Sequence, residues 1–233
     1  MTLVTSETQK LFDNAKNIVF LTGAGVSTAS GIPDYRSKGG IYDGVSLSPE
    51  YLLSMEALAK EPDKMYQFMK DNMYFLDAQP NVIHQKMAAL TNENRARIIT
   101  QNVDGLHLKA GAKNIIEFHG SLYNIYAPID GKPDSVVSYL KSQYRSDGAL
   151  LRPAITLYGE IPFKVDQSAQ WVMQADLIVI VGTSFVVYPF AGLLQYAKPT
   201  APVLAVNLEK IPAPANVQQI VGDAREFFEA LQV

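Results

Sequence analysis

A chain of 233 residues with 48% hydrophobic and 18% charged content can bury a large core and lies far from the composition of a disordered protein. A net charge of −3 offers no general basic surface to nucleic acid, and the absence of cysteine rules out disulfides and thiolate metal sites. Three histidines leave a zinc cage almost without nitrogen donors.

The opening run, Met1-Thr-Leu-Val-Thr-Ser-Glu-Thr-Gln-Lys10, has neither the basic start nor the apolar core of a secretory signal, so a cytoplasmic location is expected. Predicted strands, in chain order, are 18–21, 97–100, 115–117, 154–157, 177–181, 203–207 and 219–221. Helical patterns cover 6–15, part of 49–76, 82–91, 163–174, 189–196 and 225–231. Strands alternating with helices predict an α/β fold, a Rossmann-like parallel sheet with helices on both faces. Residues 177–197 carry no charge and are long enough to span a bilayer. Gly182, Thr183, Ser184 and Pro189 interrupt them, so they read as a buried strand, a polar loop and a buried helix, with no membrane partner.

The first strand runs into Gly23-Ala-Gly-Val-Ser-Thr-Ala-Ser-Gly-Ile-Pro-Asp-Tyr-Arg36. A strand that ends in Gly-Ala-Gly lets backbone N–H groups approach a phosphate, although glycine also serves plain turns. Thr28 stands where a dehydrogenase fingerprint has its third glycine. Residues 38–44 are loop chemistry where that fingerprint has a second strand with an acidic end. A dinucleotide held here is not expected to be a standard hydride carrier.

Polar residues gather where other strands end, the place where open α/β sheets bind ligands. Gln101-Asn-Val-Asp-Gly-Leu-His107 follows the second strand, His119-Gly120 the third, and Gly182-Thr-Ser184 the run 177–181. Asn207 and Glu209 lie where a ribose-hydroxyl acceptor sits in a nucleotide-binding unit. Taken singly, Asp34 and Asp104 could equally satisfy turn backbone. His84 reads as a packed or capping residue and His107 as structural, whereas His119, at a strand end before Gly120, reads as functional.

The combination resembles the sirtuins, NAD-dependent protein deacylases, across nearly the full chain. The matching stretches are Gly23 to Arg36, Thr100-Gln-Asn-Val-Asp-Gly-Leu-His107, Glu117-Phe-His-Gly-Ser121, Arg152-Pro with Tyr158-Gly-Glu160, Gly182-Thr-Ser-Phe-Val-Val-Tyr-Pro189 and Asn207-Leu-Glu209. The resemblance implies one catalytic domain over 1–233, with a small lobe of approximately 36–80 and 120–152 inserted in a Rossmann-like large lobe. NAD would lie between them as a co-substrate. Gly23, Ala24 and Gly25 would meet its phosphates, and Ser184 and Asn207 its adenosine side. Ile32, Pro33, Asp34, Asn102 and Asp104 would line the nicotinamide pocket, with Tyr35 in the family's usual phenylalanine position shielding the sugar. Ser27, Arg36, Gln101, Val103, Gly182, Thr183, Leu208, Glu209 and Ala224 complete the expected cofactor contacts.

His119 and Asn102 would be the catalytic pair, with His119 as general base on a ribose hydroxyl. The expected reaction moves an acyl group, acetyl first, from a protein lysine onto ADP-ribose and releases nicotinamide. The partner is then an acylated-lysine peptide, laid as an added strand between 158–163 and 185–188, with Phe163, Phe185 and Val187 around the lysine stem. Alternatives are ADP-ribosyl transfer or NAD hydrolysis and, outside enzymes, an NAD-sensing module. A monomer is expected.

Two departures from the family matter. Most sirtuins hold a structural zinc with two cysteine pairs in the small lobe, and this chain has none, so no zinc is expected. The helical spacing of Val136, Val137, Leu140 and Tyr144 predicts an apolar seam in its place. Subfamilies that remove acidic acyl groups carry Tyr-x-x-Arg in the helix before the cleft. Here Tyr66 is followed by Met69, with Lys70 one place late, which predicts uncharged acyl groups.

Overall fold

The computed structural model describes residues 3–35, 40–41 and 48–233. Arg36, the first residue of the expected small lobe, lies outside the described residues. The elements run α1 (Ser6–Asn14), β1 (Ile18–Thr22), α2 (Pro49–Leu52), α3 (Met55–Lys60), α4 (Pro62–Asn72), α5 (Val82–Asn92), β2 (Ala96–Thr100) and α6 (Leu106–Lys109). They continue through β3 (Ile115–Glu117), β4 (Gly120–Tyr126), β5 (Pro133–Asp134), α7 (Val136–Lys141), β6 (Arg152–Ile155), α8 (Val165–Gln174), β7 (Leu177–Val181), β8 (Val203–Asn207), β9 (Val217–Val221) and α9 (Ala224–Ala230).

Six strands form one parallel sheet in the order β3-β2-β1-β7-β8-β9. Its middle strands β1 and β7 are apolar at almost every position and buried throughout, as a sheet covered on both faces requires. Successive side chains go to opposite faces. Phe20 and Val179 join Phe12, Met87 and Phe228 on one side, while Leu21 and Ile180 join Val172, Phe190 and Leu193 on the other. Helix α5 starts cleanly because Asn81 and His84 form a reciprocal capping box.

A second sheet, β5-β4-β6, is antiparallel. With α2, α3, α4 and α7 it encloses a separate apolar cluster that includes Met65, Phe68, Leu122, Tyr139 and Ile155. The strand expected at 154–157 therefore belongs elsewhere: it is β6, begins at Arg152, and pairs antiparallel with β4. Strands β4 and β5 and helix α6 carry no clear sequence signal. The expected helix 189–196 is a 3-10 turn over Ala191–Tyr196. No helix among the described residues is long and apolar enough to cross a membrane.

Candidate functional site at the carboxyl edge of the parallel sheet

β1 leads through its crossover to β2 on one side, while β7 lies against its other side, so the strand order reverses between β1 and β7. Connections diverge at such a point and leave a crevice outside the strand ends. The loops after β1 and β7 meet there and interlock. Gly25 N–H donates to the Gly182 carbonyl at 2.8 Å, and Gly23 N–H to that of Val181 at 3.1 Å. A Cβ on Gly25 would come within 2.8 Å of Gly182 Cα, and Gly182 itself has φ +61°. These glycines let two backbones touch, a duty separate from approach to a phosphate. The loop after β1 forms two short 3-10 turns, Ala24–Val26 and Thr28–Ser30, in place of a long helix. Thr28 directs its hydroxyl to the Gly25 carbonyl at 3.0 Å, so no third glycine is required there.

Behind these turns lies a polar cluster drawn from three elements. Ser27 Oγ donates to Asp104 Oδ2 at 2.6 Å and accepts from Asn102 Nδ2 at 3.0 Å. His84 Nδ1 accepts the Asn81 N–H at 3.3 Å, so its proton sits on Nε2, 3.4 Å from Ser27 Oγ. Leu106 N–H donates to Asp104 Oδ1 at 2.9 Å. Burial raises the Asp104 carboxyl, and its bonds from Ser27, Leu106 and Asn102 offset part of that rise. A recess opens beside the cluster, lined by Ala24, Ser27, Ile32, Pro33, Tyr35, Asn102, Val103 and Asp104 together with Ile41, Met73 and Leu122. Asp34 is outside this lining; its carbonyl accepts the Ile41 N–H at 2.8 Å. The Tyr35 phenol is pushed well up by burial and then by the nearby Asp104 and Tyr158.

His119 follows β3 at the same edge. Its ring hydrogen-bonds the Gln101 backbone, yet burial dominates and lowers it to about 4, so it is a neutral acceptor at neutral pH. Phe118 and Phe190 pack on it, with ring centroids 5.4 and 6.4 Å away. Gln101 Nε2 reaches Thr183 Oγ1 at 2.9 Å, and Thr183 N–H donates to Asn207 Oδ1 at 2.8 Å, joining the ends of β2, β7 and β8. The buried Asn207 Nδ2 has no hydrogen-bond partner among the described residues.

Residues 23–189 match the family model described as Sir2. The chain belongs to the Sir2 family. It is 49% identical to an NAD-dependent protein deacetylase of Lactiplantibacillus plantarum over 97% of both chains. A relative of the same name from Listeria monocytogenes is 51% identical over 93% of this chain and 96% of its own length. Among solved structures, a Sir2 protein with a deacetylated p53 peptide and 3'-O-acetyl ADP-ribose superposes with TM-score 0.88 at 30% identity, covering 98% of this chain and 96% of that one. A Sir2 complex with p53 peptide and NAD gives 0.85 at 30% identity over 96% and 95%.

Against this Sir2 frame, the expected contacts divide. Gly23, Ala24, Gly25, Ser27, Ile32, Pro33, Tyr35, Asn102, Val103 and Asp104 converge on the loop after β1 and its recess. Gln101, Gly182, Thr183 and Asn207 tie the strand ends together. Ser184, Leu208 and Glu209 are exposed at the rim. Ala224 has its side chain in the core cluster and could offer a ligand only backbone. Phe185 is 6% exposed and packs on Phe190 at 6.0 Å, whereas Phe163 is 44% exposed and Val187 half-buried.

Sequence reasoning passed over Glu117, two residues before His119. Burial and then Asp104 raise its carboxyl to about 7 against the pull of Lys164. Its place in the motif before His119 was the available signal.

The small lobe does not fit the zinc of other Sir2 proteins, because the chain has no cysteine to hold it. No group of three His, Asp or Glu able to hold a metal occurs among the described residues. Arg145 instead bridges Asp130 at 2.8 Å and Asp147 at 2.7 Å in the corresponding interval. The expected apolar seam holds only in part: Val136 packs against the cluster and Leu140 is half-buried. Val137 and Tyr144 are 64% and 45% exposed, while Tyr139, unremarked in the spacing, is the buried residue of α7. Its side chain turns into the cluster and packs edge-on to Tyr66 at 5.1 Å.

Proposed function

We infer that this chain is an NAD-dependent protein-lysine deacetylase that releases nicotinamide and O-acyl-ADP-ribose. NAD supplies the leaving group and the acyl acceptor. The observation that carries the reading is a histidine held neutral by burial at the same sheet edge as the Ser27, Asn102 and Asp104 cluster. In it, Asn102 and Asp104 present an amide and a carboxyl to the nicotinamide end, where positive charge develops as the bond to the sugar breaks. The acyl oxygen of the bound lysine takes nicotinamide's place on the sugar carbon. His119 takes a ribose hydroxyl proton so that the hydroxyl oxygen attacks the acyl carbon, and water then completes the release of free lysine and O-acyl-ADP-ribose. We propose the small lobe as 36–80 and 120–152 of one catalytic domain. We propose that the chain acts as a cytoplasmic monomer without a nucleic-acid or membrane partner; of these, the net charge of −3 bears only on nucleic acid, to which it offers no general basic surface.

The acyl group is proposed to be uncharged. Tyr66 donates its hydroxyl to the Tyr139 carbonyl at 3.0 Å, and Met69 is 2% exposed, so both belong to the lobe's core and leave no tyrosine-arginine clamp for an acidic acyl chain.

Mass spectrometry of acetyl- and succinyl-lysine peptides incubated with NAD tests both points. Wild type should yield O-acetyl-ADP-ribose faster than the succinyl product, and His119→Ala should yield neither. Equal acyl product from His119→Ala removes the base assignment. Nicotinamide release without acyl-ADP-ribose shifts the reading to ADP-ribosyl transfer or hydrolysis.

A further inference from the structure

The motif Arg152-Pro with Tyr158-Gly-Glu160 has no part in the chemistry above, yet its arginine is the least exposed member of any ion pair found among the described residues. The Arg152 side chain is 6% exposed, and its Nη1 and Nη2 meet Glu160 Oε1 and Oε2 at 2.7 and 3.0 Å, a two-pronged pair. Nη2 also donates to the Ile155 carbonyl at 2.7 Å and Nε to that of Pro153 at 3.3 Å. Glu160 Oε2 accepts the Leu157 N–H at 2.8 Å as well. The chain from 155 to 160 is therefore wrapped around one guanidinium.

That loop is anchored beside the base at both ends. Thr156 N–H donates to the His119 carbonyl at 2.8 Å, and Phe163 N–H to that of Phe118 at 2.9 Å. In its middle, Tyr158 exchanges backbone bonds with the α2–α3 junction: its N–H donates to the Leu53 carbonyl at 2.8 Å and its carbonyl accepts the Met55 N–H at 3.1 Å. What remains open is the far side. The backbone groups of Gly159 and Ile161 take part in none of the hydrogen bonds found among the described residues, and Ile161 is 87% exposed. In the other segment expected to flank the peptide, Val186 and Tyr188 are 49% and 77% exposed. An unpaired backbone edge flanked by apolar side chains is a template for an added strand.

We propose that Arg152 and Glu160 are positioning residues for the acylated peptide, holding Gly159 to Ile161 as a preformed edge. The proposal rests on the reading that the peptide pairs with this segment. A fork and a carboxylate fix the edge in direction as well as place, so the peptide meets an ordered strand and loses less freedom on binding. Lysine at 152 keeps the charge but lacks the planar fork.

The test is steady-state kinetics of Glu160→Gln and Arg152→Lys on an acetyl-lysine peptide, with NAD affinity titrated separately and folding checked by thermal melting. Peptide KM should rise by about tenfold or more, with kcat and NAD affinity within about twofold of wild type. Glu160→Asp, which shortens the reach without removing charge, serves if Glu160→Gln melts early. Unchanged peptide KM in folded variants, or peptide KM and NAD affinity worsening together, overturns the positioning role. A peptide N-methylated at the backbone flanking the acyl-lysine probes the underlying reading in wild type. Undiminished turnover of that peptide removes strand pairing itself. Lost turnover together with normal Glu160→Gln kinetics removes only the ion pair's role.

Discussion

Ser27 is the hydroxyl that joins Asn102 to Asp104 beside the recess proposed to take the nicotinamide end. It accepts from Asn102 and donates to Asp104, and His84 stands behind it with its proton on the facing nitrogen. Ser27→Ala would leave a buried amide and a buried carboxyl each short of one partner, at a cost of about 1–3 kcal/mol. Nicotinamide release should fall by about tenfold or more, because orientation of both groups is lost at once. Chemical denaturation and single-turnover nicotinamide release measure the two effects; a variant unchanged in both would show the cluster to be idle. That Ser27, Asn102 and Asp104 lie at one sheet edge was legible, because each sits in a short run at a strand end. The link from His84 was not, since it closes across 57 residues and depends on a tautomer fixed by the α5 capping box. Its capping role, in contrast, was readable from position alone. Asn207 could be placed at the strand end, but its bond to Thr183 arises only once β7 and β8 lie side by side.

Strands in the parallel sheet announced themselves because burial on both faces gives continuous apolar runs, seen in β1, β7 and β8. In β4 the register shifts between Ser121 and Ile125, which breaks the alternation that marks a half-buried strand, and the element could not be read. The reading of β6 suffered from the same cause, since its partner was missing. At this scale the small lobe also carries a closure made without metal ligands. Arg145 bridges the turn at 130 and the turn at 147, and Arg145 N–H and the Ala149 carbonyl bond at 2.9 Å between them. Tyr139 meanwhile packs beneath against Tyr66 and Tyr74. Exhaustive chelation should therefore leave the melting temperature and deacetylation unchanged. Arg145→Ala should lower the melting temperature, and Tyr139→Ala should lower it further because it empties a core position. Stoichiometric zinc in purified protein, or loss of activity on chelation, would contradict a metal-free lobe.

Across the whole molecule, folding gathers all three histidines of the chain into places that keep them neutral. Burial lowers His84 and His119 to about 4 and takes His107, with the neighbouring His84 adding to it, well below its ordinary value. In the unfolded chain each takes up a proton near pH 6.5. Between about pH 4 and 6.5 the unfolded state therefore binds more protons, and the histidine contribution is full above that window and lost as pH falls through it. Two carboxyls act in the opposite sense. Glu117, raised to about 7, keeps a proton that the unfolded chain has released, and Asp104 is raised as well. The three histidines outnumber these two carboxyls, so between about pH 5 and 6 the unfolded chain binds the more protons and stability rises with pH. Urea denaturation at intervals from about pH 5 to 6.5 should show stability climbing with pH and levelling off toward the top of that range. Glu117→Gln removes an opposing group and should steepen the climb, whereas a flat or falling profile in wild type would mean that the histidines, His119 included, are not held neutral by the fold.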